Sequence, residues 1–312
     1  MDIKPLLRQF NLRPKKSLGQ NFLVDEHALS GIVRAAEITA DDVVLEIGPG
    51  LGSLTRCLAD AARHVIAVEI DRTLIPPLRS VLSARSNVTI VEGDILKFDP
   101  TKLLSEASLQ RAPSAMKQSH PQSTEIASPP SASLGKLAMT PLENYKVVAN
   151  IPYYITSAII RHLLEADIKP RSIVLTIQQE VAQRLIAQPD DMNLLAVSVQ
   201  FYGVPRIVQR IPAGAFYPVP DVDSAVVRID LSEQPRVAVR DVDMFFNVAK
   251  AGFGQKRKQL HNSLAAGLPI KHEQIMLALN AVGIDPKRRA ETLTLEEWGK
   301  LSDQLMRLES RL

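Results

Sequence analysis

Asn150, Ile151, Pro152 and Tyr153 close the run YKVVAN and place an amide, backbone carbonyls and an aromatic ring within four positions. Such a set suits chemistry on the exocyclic amino group of a nucleobase. That nitrogen attacks poorly because its lone pair is delocalised into the ring. Acceptors on its two N–H groups hold it in line and stabilise the charge that develops during transfer. The Asn150 side-chain oxygen and a carbonyl of the Asn-Ile-Pro segment are the acceptors on offer. Tyr153 stacks on an unstacked base, and its π face favours the growing positive charge. Alone, N-x-P-Y reads as a turn, and its surroundings decide its meaning. Phe216, in the irregular loop AFYPVPDVDSAVV, is either core or the second face of a base sandwich.

Three earlier strand ends supply those surroundings. The segment Glu46–Gly52 (EIGPGLG) is a glycine turn between an apolar run and a helix beginning near Ser53. Its G-x-G-x-G spacing differs from the G-x-G-x-x-G of dinucleotide folds, and it lacks the G-K-[ST] of a P-loop. Gly48 and Gly50 therefore suit a ligand approaching the backbone without a pyrophosphate. Glu69, at the end of VIAVEI, can accept from ribose hydroxyls. Asp94, in VEGDIL, can accept from an adenine amino group. Together they describe a nucleoside cofactor without phosphates, which S-adenosylmethionine fits. This spacing also excludes a nicotinamide oxidoreductase.

The elements that must hold these groups alternate. Strand candidates are VVLEI (43–47), VIAVEI (65–70), NVTIVE (87–92), YKVVAN (145–150), SIVLTI (172–177), a stretch near 204–211 and DSAVVRI (223–229). Apolar strands separated by helices indicate a mostly parallel sheet covered on both faces. Residues 192–203 (MNLLAVSVQFYG) read as helix, and Pro76 and Pro77 disturb the helix around them. Residues of about 105–140, rich in Ser, Ala, Pro and Gln, read as a flexible insertion, because such composition cannot bury enough apolar area to offset ordering. After Asp230 the strand pattern stops. Four helical segments follow, DVDMFFNVAKAGF, KRKQLHNSLAAG, HEQIMLALNAVG and LEEWGKLSDQLMRLESRL, the last with a capping box of Thr294 and Glu297. The division is a 1–235 α/β domain and a 236–312 helical domain.

Composition narrows the classes. The 312 residues are 46% hydrophobic, enough for a packed core, with no apolar run of membrane-spanning length. The first sixteen residues lack a signal-peptide pattern. Cys57 is the sole cysteine, so no intramolecular disulfide forms, and it reads as a small core residue. Six histidines show no metal-ligand spacing, and no metal is expected. A cytoplasmic location follows from these features. The net charge is +3, with basic clusters at Lys4, Arg8, Arg13, Lys15 and Lys16, at Lys256, Arg257 and Lys258, and at Lys287, Arg288 and Arg289.

The chain resembles the KsgA-type ribosomal RNA adenine dimethyltransferases. The resemblance rests on KKSLGQNFLVD (15–25), LEIGPGLGSLT (45–55), VEID (68–71), GDIL (93–96), ANIPYYIT (149–156), QQEVAQRL (178–185), FYPVPDVDSAVVR (216–228), FGQKRKQLHNSL (253–264) and GIDPKRRAETL (283–293), all in family order. It implies a Rossmann-like class I methyltransferase fold, with a seven-stranded mostly parallel sheet and a small all-α C-terminal domain. It implies dimethylation of two adjacent adenosines near the 3′ end of small-subunit (16S) rRNA, within a pre-assembled small subunit. By motif match Asn21, Leu23, Gly48, Glu69, Asp94 and Asn150 contact S-adenosylmethionine, with Gln20 and Gly50 nearby. Asn150, Tyr153 and Phe216 clamp the target adenine. Lys15, Lys16, Lys256, Arg257 and Lys258 then meet RNA phosphates, and binding is expected to be salt-sensitive. A monomer is expected. N-I-P-Y is also usual in large-subunit methyltransferases of the macrolide-resistance type, but the C-terminal segments look more like the small-subunit enzymes. A non-catalytic RNA-binding assembly factor is the rival of another class, and the complete Asn150–Tyr153 motif argues against it.

Overall fold

Order begins with a segment that later straps the site: α1 (Ile3–Gln9), the two-residue β1 (Phe22–Leu23) and α2 (Glu26–Ala36). The computed structural model describes residues 2–109 and 145–309. Strands and helices then alternate through β2 (Val43–Ile47), α3 (Ser53–Ala61), β3 (His64–Glu69), α4 (Ile75–Val81), β4 (Val88–Glu92), α5 (Pro100–Leu109), β5 (Tyr145–Asn150), α6 (Thr156–Leu164) and β6 (Ser172–Gln178). After α7 (Gln179–Leu185) and α8 (Leu194–Tyr202) come β7 (Gly203–Ile211), the short β8 (Phe216–Tyr217) and β9 (Ser224–Leu231). The chain closes with α9 (Val242–Phe253), α10 (Leu260–Gly267), α11 (His272–Ala281) and α12 (Leu295–Glu309).

Seven strands form one sheet in the order β4-β3-β2-β5-β6-β9-β7. Those from β4 to β6 are parallel, and β9 runs antiparallel to both its neighbours, β6 and β7, so it alone is reversed in the sheet. This is the α/β fold with a seven-stranded, mostly parallel sheet that the resemblance implies. The two-residue side-chain period explains why the strands are apolar throughout. Leu45, Ile47, Ile66 and Val147 face a core closed by Ile160 and Leu163 of α6 and Leu185 of α7. Val44, Val65 and Val148 face the other way, against Leu29 and Ile32 of α2 and Leu58 of α3. Each such fully buried side chain stabilises by about 1.5–3 kcal/mol relative to exposure.

The C-terminal helices enclose their own core around Trp298, with Phe245, Leu264, Leu279 and Leu301. That core also takes Val197 and Phe201 from α8, so α8 packs with the helices that follow residue 235 as well as with the sheet. Residues 192–203 are largely helix, as expected, and the Thr294–Glu297 capping box is present in both directions (3.1 and 2.8 Å).

Two expectations change. Pro76 and Pro77 do not disturb a helix; they begin α4, where the missing N–H groups would be unsatisfied in any case. Lys256–Lys258 precede α10 in an exposed turn rather than forming its first residues. Most of the 105–140 insertion lies outside the described residues.

Candidate active site

The parallel strands all deliver their carboxyl ends to one edge, where such sheets bind ligands. A cavity of about 290 Å³ opens there. Its wall contains Gln20, Asn21, Leu23, Gly48, Gly50, Glu69, Asp94, Asn150, Tyr153 and Phe216, every residue expected to hold cofactor or target base. Glu46, Ser53 and Tyr154 join them, although the sequence had not singled them out. Three carboxylates line the cavity and, among the described residues, no lysine or arginine does. A polyphosphate is disfavoured there and a cation favoured.

The glycine turn is held open by its neighbours. Gly48 and Gly50 adopt positive φ of 70° and 59°, a region open to glycine at little cost. Gly48 N–H donates to the Val68 carbonyl (3.0 Å), and Gly50 N–H donates to Glu69 Oε2 (2.9 Å). Glu69 Oε1 accepts from Asp71 N–H (2.8 Å), so this acid organises the loop and its oxygens keep lone pairs for a further donor. Burial raises the Glu69 pKa, against hydrogen bonds from Asp71 and Gly50 that lower it. Asp94 accepts from Leu96 N–H (3.1 Å) and turns the chain after β4.

The N-terminal strap covers this half. Ile3, Leu7 and Phe22 pack with Leu51 and Leu74 over the glycine turn. Lys15 Nζ reaches Asp71 Oδ1 (2.6 Å) and Thr73 Oγ1 (3.0 Å), while Gln20 Nε2 reaches Asp71 Oδ2 (2.7 Å). Burial pushes the Asp71 carboxyl up, but those donors outweigh it and hold the pKa below the ordinary value. Lys15, expected on RNA, is therefore tied to the strap, whereas Lys16 stays exposed. The Gln20 amide thus bridges two strap contacts, donating to Asp71 and accepting from Lys15 N–H (2.8 Å).

The target half is fixed from three directions. Asn150 Nδ2 donates to the Asn21 carbonyl (3.2 Å), which leaves Oδ1 to accept an incoming N–H. Tyr153 OH pairs with Ser224 Oγ (2.8 Å), anchoring the ring to the start of β9, and burial raises its pKa. Phe216 is 3% exposed, and β8 pairs with β1 through Leu23↔Phe216 and Phe22↔Tyr217. The strap thus carries cofactor-side residues on one strand and the aromatic residue on its partner. Tyr154 stands at the rim, 64% exposed.

Farther away, Lys256, Arg257 and Lys258 are exposed, and no side-chain ion pair involves them among the described residues. The neighbouring cluster divides: Arg288 is bonded to both carboxylate oxygens of Glu297 (2.5 and 3.1 Å) and to the Thr292 carbonyl, a structural role. No group of three or more metal-ligating side chains occurs among the described residues, and none of their helices is long and apolar enough to cross a membrane.

Residues 11–306 match the family model described as ribosomal RNA adenine dimethylase. A ribosomal RNA small subunit methyltransferase A of Dehalococcoides mccartyi strain CBDB1 is 43% identical over 299 residues, covering 96% of this chain and 90% of that one. Its counterpart in Geobacillus thermodenitrificans strain NG80-2 is 42% identical over 310 residues, covering 98% and 95%. Among solved structures, the 23S rRNA methyltransferase ErmE aligns with a TM-score of 0.65 at 27% identity, covering 92% of this chain and all of that one. A dimethyladenosine transferase from Plasmodium falciparum shares the fold, with a TM-score of 0.66 at 23% identity, covering 93% and 98%.

Proposed function

The chain belongs to the ribosomal RNA adenine dimethylase family, and on that footing we propose that it dimethylates two adjacent adenosines near the 3′ end of small-subunit (16S) rRNA, with S-adenosylmethionine as donor. The observation that carries this reading is the cavity itself. It brings Asn150, Tyr153 and Phe216 to a carboxylate-lined wall without a basic residue. The glycine cradle and the unpartnered buried oxygens of Glu46 and Ser53 fit a cationic nucleoside.

When bound, S-adenosylmethionine supplies an electrophilic methyl group on a sulfonium. Gly48, Gly50, Glu69 and Asp94 would hold the nucleoside, with Asn21 and Leu23 closing over it, and all six line the cavity. Tyr153 and Phe216 are placed to grip the adenine, and Asn150 Oδ1 and a carbonyl of the 150–152 segment to accept its two N–H groups. Each transfer forms an N–C bond, breaks an S–C bond and gives the displaced N–H proton to water. The nitrogen becomes acidic once alkylated, so no strong base is needed. The first transfer leaves one N–H for Asn150 and the second leaves none. The doubly methylated base therefore loses its hydrogen bonds to the site, which favours release.

Lys16 and Lys256–Lys258 supply positive charge for rRNA phosphates. The substrate is a pre-assembled small subunit met by a monomer in the cytoplasm. The relatives at 42–43% identity are named for the small subunit, which favours it over the large-subunit alternative. The test uses labelled S-adenosylmethionine, unmethylated small subunits and, in parallel, large-subunit rRNA, with products mapped by mass spectrometry. Dimethylation of paired adenosines near the small-subunit 3′ end is expected. Label on a single large-subunit adenine would move the chain to the resistance-type enzymes, and no label on either would favour a binding factor.

A further inference from the structure

Glu46 occupies the penultimate position of β2 and is 1% exposed. Its neighbours across the sheet, Ala67 on β3 and Val148 on β5, are apolar. It belongs to the cavity wall, yet its Oε2 is fully buried and has no hydrogen-bond partner. Ser53 Oγ, at the start of α3 in the same wall, is also unpartnered. Buried polar atoms are nearly always satisfied in native proteins, so two orphans on residues that line one cavity point to a ligand.

The surroundings define the charge of that ligand. Thr55 on α3 is the hydroxyl that acts on Glu46, although its buried Oγ1 makes no hydrogen bond, and Glu69 on β3 is the one charged group acting on Glu46 among the described residues. Lys15, the cation of the strap, is spent on Asp71. Two acids thus share a corner that contains no basic side chain. Burial, then repulsion from Glu69, raises the Glu46 pKa to about 8, so the cofactor-free protein carries a proton there at neutral pH.

Given S-adenosylmethionine as donor, an assignment on which this step rests, we infer that Glu46 receives the positive charge of the donor and releases its own proton as the donor binds. The O–H bond of the carboxyl breaks, its proton passes to solvent, and an ion pair replaces it. No electrons move and no covalent bond to the donor forms. The site thereby avoids two buried, uncompensated carboxylates when free and presents a negative partner when loaded.

Calorimetry of S-adenosylmethionine binding, run at one pH in buffers of different ionisation enthalpy, counts the protons released. A group titrating near pH 8 is about nine-tenths protonated at pH 7 and about one-tenth at pH 9. Wild type should therefore release about 0.9 proton more than Glu46→Gln at pH 7, and about 0.1 more at pH 9. The amine of the donor titrates alike in both proteins, so the difference reports Glu46 together with the Glu69 carboxyl it repels. An infrared difference spectrum of wild type on donor addition should also lose a protonated-carboxyl band, a measurement that does not depend on the variant folding. Equal proton counts in the two proteins, or a carboxyl band that persists, would overturn the inference while leaving donor binding intact. Absence of any donor binding would instead remove the cofactor assignment, and this inference with it.

Discussion

The cavity and the Gln255–Gln259 turn solve opposite problems. In and around the cavity most of the named polar groups are tied to another: Lys15 and Gln20 to Asp71, Gly50 to Glu69, Asn150 to Asn21, Tyr153 to Ser224, with Glu46 Oε2 and Ser53 Oγ the exceptions. In the turn, Lys256, Arg257 and Lys258 reach into solvent with no ion pair among the described residues. Methyl transfer needs atoms held in line to a fraction of an ångström, so the cavity is pre-organised. Phosphate attraction needs only charge at the right distance, and a mobile ammonium or guanidinium serves it. Substitutions in the first region should therefore cost rate or order, and those in the second affinity alone.

The largest expected effect is at the centre of the first region. Asn150→Ala removes the side-chain acceptor for the amino group and should lower kcat by about 10²–10³-fold. Affinity for S-adenosylmethionine should change little, because the glycine turn, Glu69 and Asp94 are untouched. Near-normal turnover would sink the proposed role of the amide.

Asp71→Ala tests whether the strap depends on the buried acid that Lys15 and Gln20 reach. Losing it leaves Lys15 and Gln20 without their partner and should destabilise the fold by about 1–3 kcal/mol, with a matching loss of donor affinity. The pH dependence fixes the sign. The Asp71 pKa is lowered in the folded protein, so its contribution is present above the ordinary carboxylate pKa of about 3.9 and disappears as pH falls through the folded value. Thermal melts of wild type and variant should thus differ at pH 7 and converge in strong acid. A constant gap would assign the effect to lost packing.

These two positions also mark what could be read from the sequence. Asn150 was legible because its chemistry, its place at a strand end and its Pro-Tyr neighbours are local. The seven strands were legible for the same reason, since runs such as VVLEI and SIVLTI need no partner to be recognised. Glu46 left a trace, a lone acid inside an apolar strand, but its burial and missing partner emerge only in three dimensions. Asp71 left none, because Lys15 lies 56 positions away. The pairing of β1 with β8 was equally hidden: two-residue strands have no periodicity, and Phe216 could as well have been core. Clusters of basic residues looked alike in sequence, yet Lys15 and Arg288 are bonded internally while Lys256–Lys258 are exposed.

That last contrast predicts a purely electrostatic phenotype. Replacing Lys256, Arg257 and Lys258 by Ala should weaken small-subunit RNA binding about tenfold at moderate salt and flatten the log–log salt slope by about 2–3. The folded state and donor affinity should be unchanged, since these side chains are exposed and form no ion pair among the described residues. An unaltered slope would remove the turn from the RNA footprint, and a loss of donor binding would erase the division between the two regions.

The smallest effect should come from Tyr153→Phe. The ring and its stacking face survive, and only the 2.8 Å bond to Ser224 is lost. A neutral hydrogen bond of this kind contributes about 0.5–1.5 kcal/mol. The hydroxyl touches neither the proposed amino group nor the donor, so the loss should appear as greater freedom of the ring. A fall of a few-fold in kcat/KM, shared by Ser224→Ala and not deepened in the double variant, would show that the two act as one anchor. A loss as deep as that of Asn150→Ala would give the hydroxyl a direct part in the transfer, and the cavity would then hold a proton-handling group that its pre-organised geometry alone does not require.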